Sequence, residues 1–348
     1  MVPSAREERG PHPVVPGPDE LIADPGRLAR RFRVTVIGDV RVDLRASLEH
    51  HRFIDLADDA HEQVQVRTSI GGTAMGFARS ATAHFEQVVL LGAIGDDSWT
   101  EAIHRGCRQP GMVDHLVETG RVNSPVVALR DRRASGAKEG IRLLVADSPA
   151  PYDDLDEAMV ESAAADIVGS DALVLDGYAL LSEPSARAVR RAGQIAATAG
   201  IPVAFDVVPH QIDEHLKLLD FVDVLCGASM IWVEADTIKR LLHLPVHPTQ
   251  GVSDVVALLG ELPAPLRTRN RTWFVRYGTG QMDRTVAMAA GHRAVEYCTG
   301  YAAAPETAAY GYRVAAAELK WWLANAHARA ARCGRGVTAT GALHVRDR

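Results

Sequence analysis

A pair of glycines lies between a segment with the pattern of a strand and a segment with the pattern of a helix. Glycines at such a junction are suited to binding a polar small molecule. Gly71-Gly72 comes directly before a helical pattern that runs from Thr73 to about Phe85. Glycines in this place allow a ligand close to the backbone, and the first amide N–H groups of the helix stay free for a polar partner. The pair therefore indicates a ligand contact or a tight turn.

Two carboxylates follow the next strand pattern. The apolar run from Val88 to Ala93 predicts a buried strand, and Asp96-Asp97 comes after it in a tight turn that starts at Gly95. Parallel strands of α/β proteins deliver such side chains to the carboxyl edge of the sheet, where ligands bind. Glycines and carboxylates in this order predict a binding site at that edge.

Two more carboxylates follow the first strand pattern of the chain. The β-branched run that starts at Arg33 ends at Gly38-Asp39, and Asp43 follows four residues after Asp39. From its position alone, Asp43 is explained equally well by a solvated loop and by a ligand contact.

The elements that must position these residues alternate between strand and helix after Pro151. The predicted strands are 171–176, 202–206, 221–225 and 273–278, and the predicted helices are 153–165, 185–199, 236–242, 254–259 and an Ala-rich run that ends near 331. Successive strand–helix units with short connections predict a doubly wound, mostly parallel sheet flanked by helices. Alternating patterns at 64–68, 124–129 and 141–145 predict antiparallel strands with one solvent-facing side.

Composition narrows the class of protein. The 348 residues suffice for one large α/β domain or two ordinary ones, and a net charge of −6 argues against a nucleic-acid partner. The four cysteines and fourteen histidines show no metal-ligand spacing. No apolar run is long enough for a membrane span and no signal-peptide pattern is present, so we expect a cytoplasmic protein with no membrane partner.

The segment from Ser69 to Asp97 resembles the first signature of the ribokinase-like (PfkB) family of sugar and nucleoside kinases. The matching residues are Gly71, Gly72, Ala78, Gly92, Gly95, Asp96 and Asp97. Gly76 stands where the family has a substrate-binding Asn. The family's first strand also ends in Gly-Asp-x-x-x-Asp, whose last Asp holds sugar hydroxyls, and Asp43 matches that Asp.

The resemblance also implies a phosphoryl-transfer motif before the last helix, for which two registers are open. If Thr299-Gly300 is the family's Thr-Gly, the place of the general base falls on Ala303 and no base is present. If Gly311 is the small residue within the helix, Glu306 takes the place of the base and Pro305 replaces a glycine. We prefer the second register because the rest of the helix then aligns. An acidic residue in a first helical turn also simply complements the helix dipole.

The implied nucleotide side lies nearby in the sequence. Arg276, Gly278 and Gly280 resemble the family's turn near the phosphates, and the first register adds Thr299 and Gly300. Glu234 matches the Glu of the family's Asn-x-x-Glu, which orders metal-bound water. By resemblance, the cofactors are therefore ATP and Mg²⁺.

The resemblance implies a small-molecule kinase that transfers the γ-phosphate of ATP to a hydroxyl of a sugar, nucleoside or related polyol. The substrate contacts it implies are Asp39, Asp43, Gly71, Gly72, Gly76 and Asp97. The alternative is a pseudoenzyme of the same fold that binds a sugar-like ligand or a protein partner and transfers nothing.

The resemblance also implies a division of the chain. We expect a flexible arm over residues 1–32, a ribokinase-like domain over 33–331 and a tail over 332–348. Strands within about 44–70 and 122–146 would form a small β lid, and such lids often pair between subunits, so a homodimer is expected.

Overall fold

Short runs of apolar residues form most of the strands. The computed structural model of the protein describes residues 32–132, 140–208, 212–267, 271–278, 284–289, 294–298 and 310–332. The strands described are β1 (Arg33–Ile37), β2 (Arg41–Ser47), β3 (Arg67–Gly71), β4 (Gln87–Ile94), β5 (Met112–Glu118), β6 (Pro125–Arg130), β7 (Arg142–Ala146), β8 (Ala172–Asp176), β9 (Val203–Val207), β10 (Met230–Glu234), β11 (Thr272–Tyr277), β12 (Arg284–Ala289) and β13 (Val295–Cys298).

Helices connect these strands. Those described are α1 (Thr73–Ala81), α2 (Thr100–Cys107), α3 (Glu157–Ser162), α4 (Ala164–Val168), α5 (Glu183–Ala199), α6 (Leu218–Gly227), α7 (Ala235–Leu241), α8 (Val252–Gly260) and α9 (Tyr310–Arg332). In the described part of the chain, no helix has the length and apolar character that crossing a bilayer requires.

The main sheet has nine strands in the order β13-β12-β11-β10-β9-β8-β1-β4-β5. The pairs from β5 to β11 are parallel, and β12 and β13 add an antiparallel edge. An apolar cluster packs on each face, one with α5 and the other with α1 and α9. The predicted doubly wound, mostly parallel sheet is confirmed.

A second sheet of four strands has the order β3-β2-β6-β7. β2 pairs parallel with β6, whereas β3 and β7 are antiparallel to their neighbours. Only three residues, 38–40, separate β1 of the main sheet from β2, and only Gly72 separates β3 from α1. The strands expected within 44–70 and 122–146 are therefore part of this sheet, which begins slightly earlier, at Arg41.

The prediction of a strand over 221–225 was wrong, because these residues lie within helix α6. Phe221, Val224 and Leu225 are buried, and their spacing of three and four residues is that of one helix face. The strand of this unit is β10, which ends at Glu234. The helix predicted over 153–165 is also interrupted: α3 starts only after Asp156, whose side chain accepts a hydrogen bond from the Met159 N–H.

Helix α5 ends at residue 199, as predicted, and the next residue, Gly200, lies in the left-handed region with φ 72°. We expect Gly200→Ala to lower the free energy of unfolding by about 1 kcal/mol, because an L side chain is disfavoured in that region. The matched control is Gly193→Ala, inside the same helix and with nothing within 4 Å of the added Cβ. It should instead stabilise by about 0.5–1 kcal/mol. Urea unfolding of both variants measures the difference, and equal effects would contradict it.

Candidate functional site

A row of charged residues lies along the carboxyl edge of the main sheet. In sheet order they are Asp39, which follows β1, Asp176 at the end of β8, Asp206 in β9, Glu234 at the end of β10, and Arg276 in β11. Asp176 is directly opposite Asp206, and Glu234 is directly opposite Arg276. Ligands of open α/β sheets bind at this edge.

The Asp176 carboxylate joins three elements. Its Oδ2 accepts hydrogen bonds from the Asp39 N–H at 3.0 Å and from Thr73 Oγ1, in the first turn of α1, at 2.6 Å. Its Oδ1 accepts one from the Tyr178 N–H at 2.9 Å. A Cβ on Gly38 would stand 1.9 Å from Oδ2, so only glycine allows the carboxylate to come this close.

The Asp39 carboxyl group is 4% exposed and lies beside an arginine. Arg41 Nε donates to both of its oxygens, at 2.8 and 2.9 Å. Burial raises the pKa of Asp39 to about 6, and nearby Asp176 raises it too, while Arg41 opposes the change. This group can therefore exchange a proton near neutral pH.

Asp206 stands in the middle of the row. Burial raises its pKa to about 7, and the neighbouring carboxylates of Asp176 and Glu234 act in the same direction. Arg276 lowers the pKa but does not cancel these effects. A carboxyl group with a pKa near the working pH is suited to general acid or base chemistry.

The start of α9 reaches the same edge. A Cβ on Gly76 would stand 2.5 Å from two ring carbons of Tyr312, so the glycine leaves room for that ring. Burial raises the pKa of Tyr312, with Asp206 the next largest cause. A Cβ on Gly311 would stand 3.1 Å from Arg276 Nη1. The last helix and the helix after the paired glycines therefore meet at one site.

The Arg276 guanidinium group lies beside the buried carboxylate of Glu318. Its Nη2 lies 3.4 Å from Glu318 Oε2, and the Glu318 side chain is 1% exposed. Tyr297 donates from its hydroxyl to Oε1 of the same carboxylate. The Arg276 Nε has no hydrogen-bond partner among the described atoms. Gly278, two residues on, has φ 137°, a conformation that favours glycine.

The paired glycines lie between the two sheets. A Cβ on Gly71 would come within 2.3 Å of the Asp43 carboxylate, which also accepts a hydrogen bond from Arg45. Gly72 has φ 92°, and a Cβ there would stand 2.3 Å from the Asp39 carbonyl oxygen. Gly71 is thus required by the close approach of β2, and Gly72 by the close approach of the Asp39 backbone just before it.

Asp97 is engaged by the protein itself. Its carboxylate accepts hydrogen bonds from the Asn123 N–H at 2.7 Å, the Asn123 side-chain amide at 2.9 Å and the Trp99 N–H at 2.8 Å. Burial would raise its pKa, but these hydrogen bonds lower it more. Asp97 therefore fixes the turn after β4 to the start of β6, and a substrate contact from it stays a prediction.

Four of the predicted site residues cannot be placed in the site. Gly280, Thr299, Gly300 and Glu306 lie outside the described residues.

The described residues contain no group of three or more His, Cys, Asp or Glu side chains placed to hold a metal ion. Glu234 nevertheless presents a carboxylate at the edge, and Mg²⁺ in kinases is usually held by one or two carboxylates with water and substrate phosphates. The site therefore fits a water-held Mg²⁺.

Several residues of this site are not among the predicted site residues. Asp176 and Asp206 lie at the ends of predicted strands, a position typical of site carboxylates. Arg41 sits between Asp39 and Asp43, where its alternation with them was a usable signal. Tyr178 follows the predicted strand end at Asp176, but nothing in the sequence marks it. Tyr312 comes to the site only through the packing of α9 on α1, which no local pattern reveals.

Comparison with known proteins places this chain within one family. The family model described as pfkB family carbohydrate kinase matches residues 31–276. Ribokinase from Arabidopsis thaliana, solved with ribose and ATP, has a TM-score of 0.61 at 13% identity, over 90% of this chain and 89% of that chain. Adenosine kinase from Anopheles gambiae, solved with P1,P4-di(adenosine-5) tetraphosphate, has a TM-score of 0.63 at 13% identity, over 87% and 97%.

A third solved structure is similar to this chain to the same degree. Fructokinase from Xylella fastidiosa, solved with bound ATP, has a TM-score of 0.62 at 13% identity, over 90% of each chain. At such low identity these likenesses show a common fold. None of the curated proteins matches the chain.

The raised pKa of Asp206 predicts a pH-dependent effect on stability. Between pH 3.8 and about 7 the unfolded chain loses this proton before the folded one, so stability falls as pH rises through that window. We therefore expect Asp206→Asn to raise the melting temperature at pH 8 by about 2–4 °C. Near pH 4 the variant and the parent should melt together. Scanning calorimetry at both pH values tests this, and a lower melting temperature at pH 8 would contradict it.

Proposed function

This chain belongs to the PfkB family of carbohydrate kinases, and we propose that it transfers the γ-phosphate of ATP to a hydroxyl of a sugar, nucleoside or related polyol. The observation that carries this proposal is the meeting of the carboxylate row, Arg276 and the start of α9 at one sheet edge. Two of the neighbours were solved with ATP, which supports ATP as the donor. A reaction that consumes ATP also suits the expected cytoplasmic location.

The acceptor side lies between the two sheets. Carboxylates accept hydrogen bonds from hydroxyl groups, and Asp39 and Asp43 stand where β2 leaves the main sheet. Gly71 and Gly72 allow the Asp43 carboxylate and the Asp39 backbone to lie close to the chain just before α1, which brings both aspartates to that place. The second sheet would then cover the acceptor as a lid.

The donor side lies at the start of α9. Arg276 has fixed guanidinium donors and one unpaired N–H, and a guanidinium fork suits phosphate oxygens. Glu234, its cross-strand partner, would hold Mg²⁺ through water. Bound Mg²⁺ neutralises charge on the phosphates of ATP.

Two carboxyl groups are candidates for the general base. Glu306 follows from the family register, and Asp206 follows from the structure, because its pKa of about 7 suits proton abstraction at neutral pH. We propose Glu306 as the base and Asp206 as the competitor that the experiment must exclude.

We expect Glu306→Gln to reduce kcat by roughly 10²–10⁴, because a general base supplies acceleration of that size. The melting temperature and its rise with MgATP should not change. The matched variant is Asp206→Asn, which should retain turnover. If instead Asp206→Asn loses turnover and removes a pKa near 7 from the pH–rate profile, Asp206 is the base.

The pseudoenzyme alternative is separated from the kinase by nucleotide binding. A ligand at 100 times its Kd stabilises the fold by about 2.7 kcal/mol, so millimolar MgATP should raise the melting temperature. If MgATP did not raise the melting temperature, the binding-only alternative would remain. One observation favours that alternative: the guanidinium group of Arg276 is already engaged in a buried ion pair with Glu318.

We also propose that the second sheet pairs with a second copy of the chain. All five residues of β7 are exposed, although three are large and apolar. Leu143 and Val145 are 47% and 51% exposed, and Leu129 and Val127 stand opposite them on the same face. An edge strand with an uncovered apolar face is a site of association.

This association predicts a change in mass on substitution. The double variant Leu143→Lys with Val145→Lys should run as a monomer in light scattering at concentrations where the parent is a dimer, because buried charge opposes pairing. Leu219→Lys, at an exposed position in α6, is the control and should leave the dimer intact. A parent protein that is monomeric at all concentrations would refute the pairing.

A further inference from the structure

The carboxyl edge of the main sheet presents mainly groups that accept hydrogen bonds. The carboxyl groups that line it belong to Asp39, Asp176, Asp206 and Glu234. An ionised carboxylate only accepts hydrogen bonds, whereas a hydroxyl group of a polyol donates one and accepts up to two. The carboxylates can therefore bind the hydrogen of a substrate hydroxyl, but its oxygen needs a donor from the protein.

Two of the side-chain donors at this edge already bind the acids themselves. The Thr73 hydroxyl donates to the Asp176 carboxylate at 2.6 Å. Arg41 Nε donates to both carboxylate oxygens of Asp39, at 2.8 and 2.9 Å. To bind a substrate oxygen, either donor would have to release the carboxylate that it holds.

Tyr312 of α9 brings another donor to this edge. Its side chain is partly buried and packs against the apolar cluster that includes α1 and α9. Burial is the largest cause of its raised pKa, followed by Asp206, Tyr178 and Asp176. The hydroxyl therefore lies near the carboxylate row and keeps its proton at neutral pH. A tyrosine hydroxyl that is removed from water usually finds a hydrogen-bond partner.

A glycine inside α1 makes room for the Tyr312 ring. A Cβ on Gly76 would stand 2.5 Å from two of the ring carbons, which is closer than a side chain can approach. Glycine inside a helix is less stable than alanine at the same position, so this room has a cost. Packing of the two helices explains a ring at this place. A phenylalanine ring would fill the same space, however, so packing does not explain the hydroxyl.

We infer that Tyr312 is a specificity-determining residue for the acceptor substrate: its hydroxyl donates a hydrogen bond to one hydroxyl oxygen of that substrate. The inference rests on the proposed function, because it assigns a residue to the acceptor substrate of the same site. An analogue without this hydroxyl leaves the Tyr312 donor unpaired, so the site should bind the corresponding deoxy compound more weakly. A substrate hydroxyl that is bound at both its hydrogen and its oxygen also has a defined orientation, which positions the substrate.

The test measures binding without nucleotide, so it does not depend on turnover. Calorimetric titration with D-ribose, D-fructose and adenosine identifies the compound that binds most tightly. Tyr312→Phe removes only the hydroxyl oxygen and should lower the affinity for this compound about 3- to 10-fold. The parent should bind one monodeoxy analogue of the compound more weakly by a similar factor. The variant should discriminate less between the compound and that analogue.

Two further tyrosine variants serve for comparison. Tyr277→Phe removes a hydroxyl that donates to Glu296, and it should leave the affinity unchanged. Tyr178→Phe removes a second hydroxyl near the row, whose pKa is raised by burial and by Asp39. An affinity that falls with Tyr178→Phe but not with Tyr312→Phe would overturn the inference. The melting temperature of Tyr312→Phe should stay close to that of the parent, because the ring is retained.

A double-mutant cycle tests the room beside the ring. In Gly76→Ala the added Cβ must displace the Tyr312 ring, so the affinity should fall. Gly76→Ala combined with Tyr312→Phe should bind no more weakly than Tyr312→Phe alone, because the hydroxyl through which Gly76 acts is already absent. Additive losses would overturn the inference. Equal affinities of the parent and Tyr312→Phe, or equal losses for the compound and all its deoxy analogues, would overturn it too.

Turnover with MgATP separates this inference from the proposed function. Release of ADP with a KM for the acceptor substrate that Tyr312→Phe does not change supports the kinase and overturns the inference. Binding that Tyr312→Phe weakens, without ADP release from any of the three compounds, supports the Tyr312 contact and refutes the kinase. If none of the three compounds binds and none leads to ADP release, both are refuted.

Discussion

The site depends on one buried carboxylate, that of Asp176. It accepts hydrogen bonds from the Asp39 N–H and the Thr73 hydroxyl on one oxygen and from the Tyr178 N–H on the other. These donors belong to the connection after β1, the first turn of α1 and the turn after β8. A buried carboxylate is stable only when such donors surround it, so the three segments are fixed relative to one another. The relative positions of Asp39, Thr73 and Tyr178 at this edge are set by that contact.

The same burial gives the site its electrostatic character. Burial is the largest cause of the raised pKa values of Asp39, Asp176 and Asp206, and each group also lies near another carboxylate. Several acids in one dry cleft cannot all ionise cheaply. The buried cation Arg276 offsets part of this cost.

Sequence patterns predicted what is local and missed what depends on packing. The doubly wound, mostly parallel sheet followed from the alternation of strand and helix patterns, and the end of α5 followed from the helix predicted over 185–199. The segment 221–225 was misjudged because a short apolar run fits a strand and a buried helix equally well. The contact of Tyr312 with Gly76 depends on the packing of two helices that lie far apart in the chain, so no local pattern predicts it.

The short links between the two sheets have a mechanical consequence. Three residues join β1 to β2, and Gly72 alone joins β3 to α1. Because these links are so short, a tilt of the second sheet relative to the main sheet requires rotation of the backbone torsions at Gly38, Asp39 and Gly72. Because Asp39 is itself one of these linking residues, a tilt of the second sheet would also change the position of its carboxyl group. The placement of the second sheet and the environment of that acid are therefore linked through the backbone.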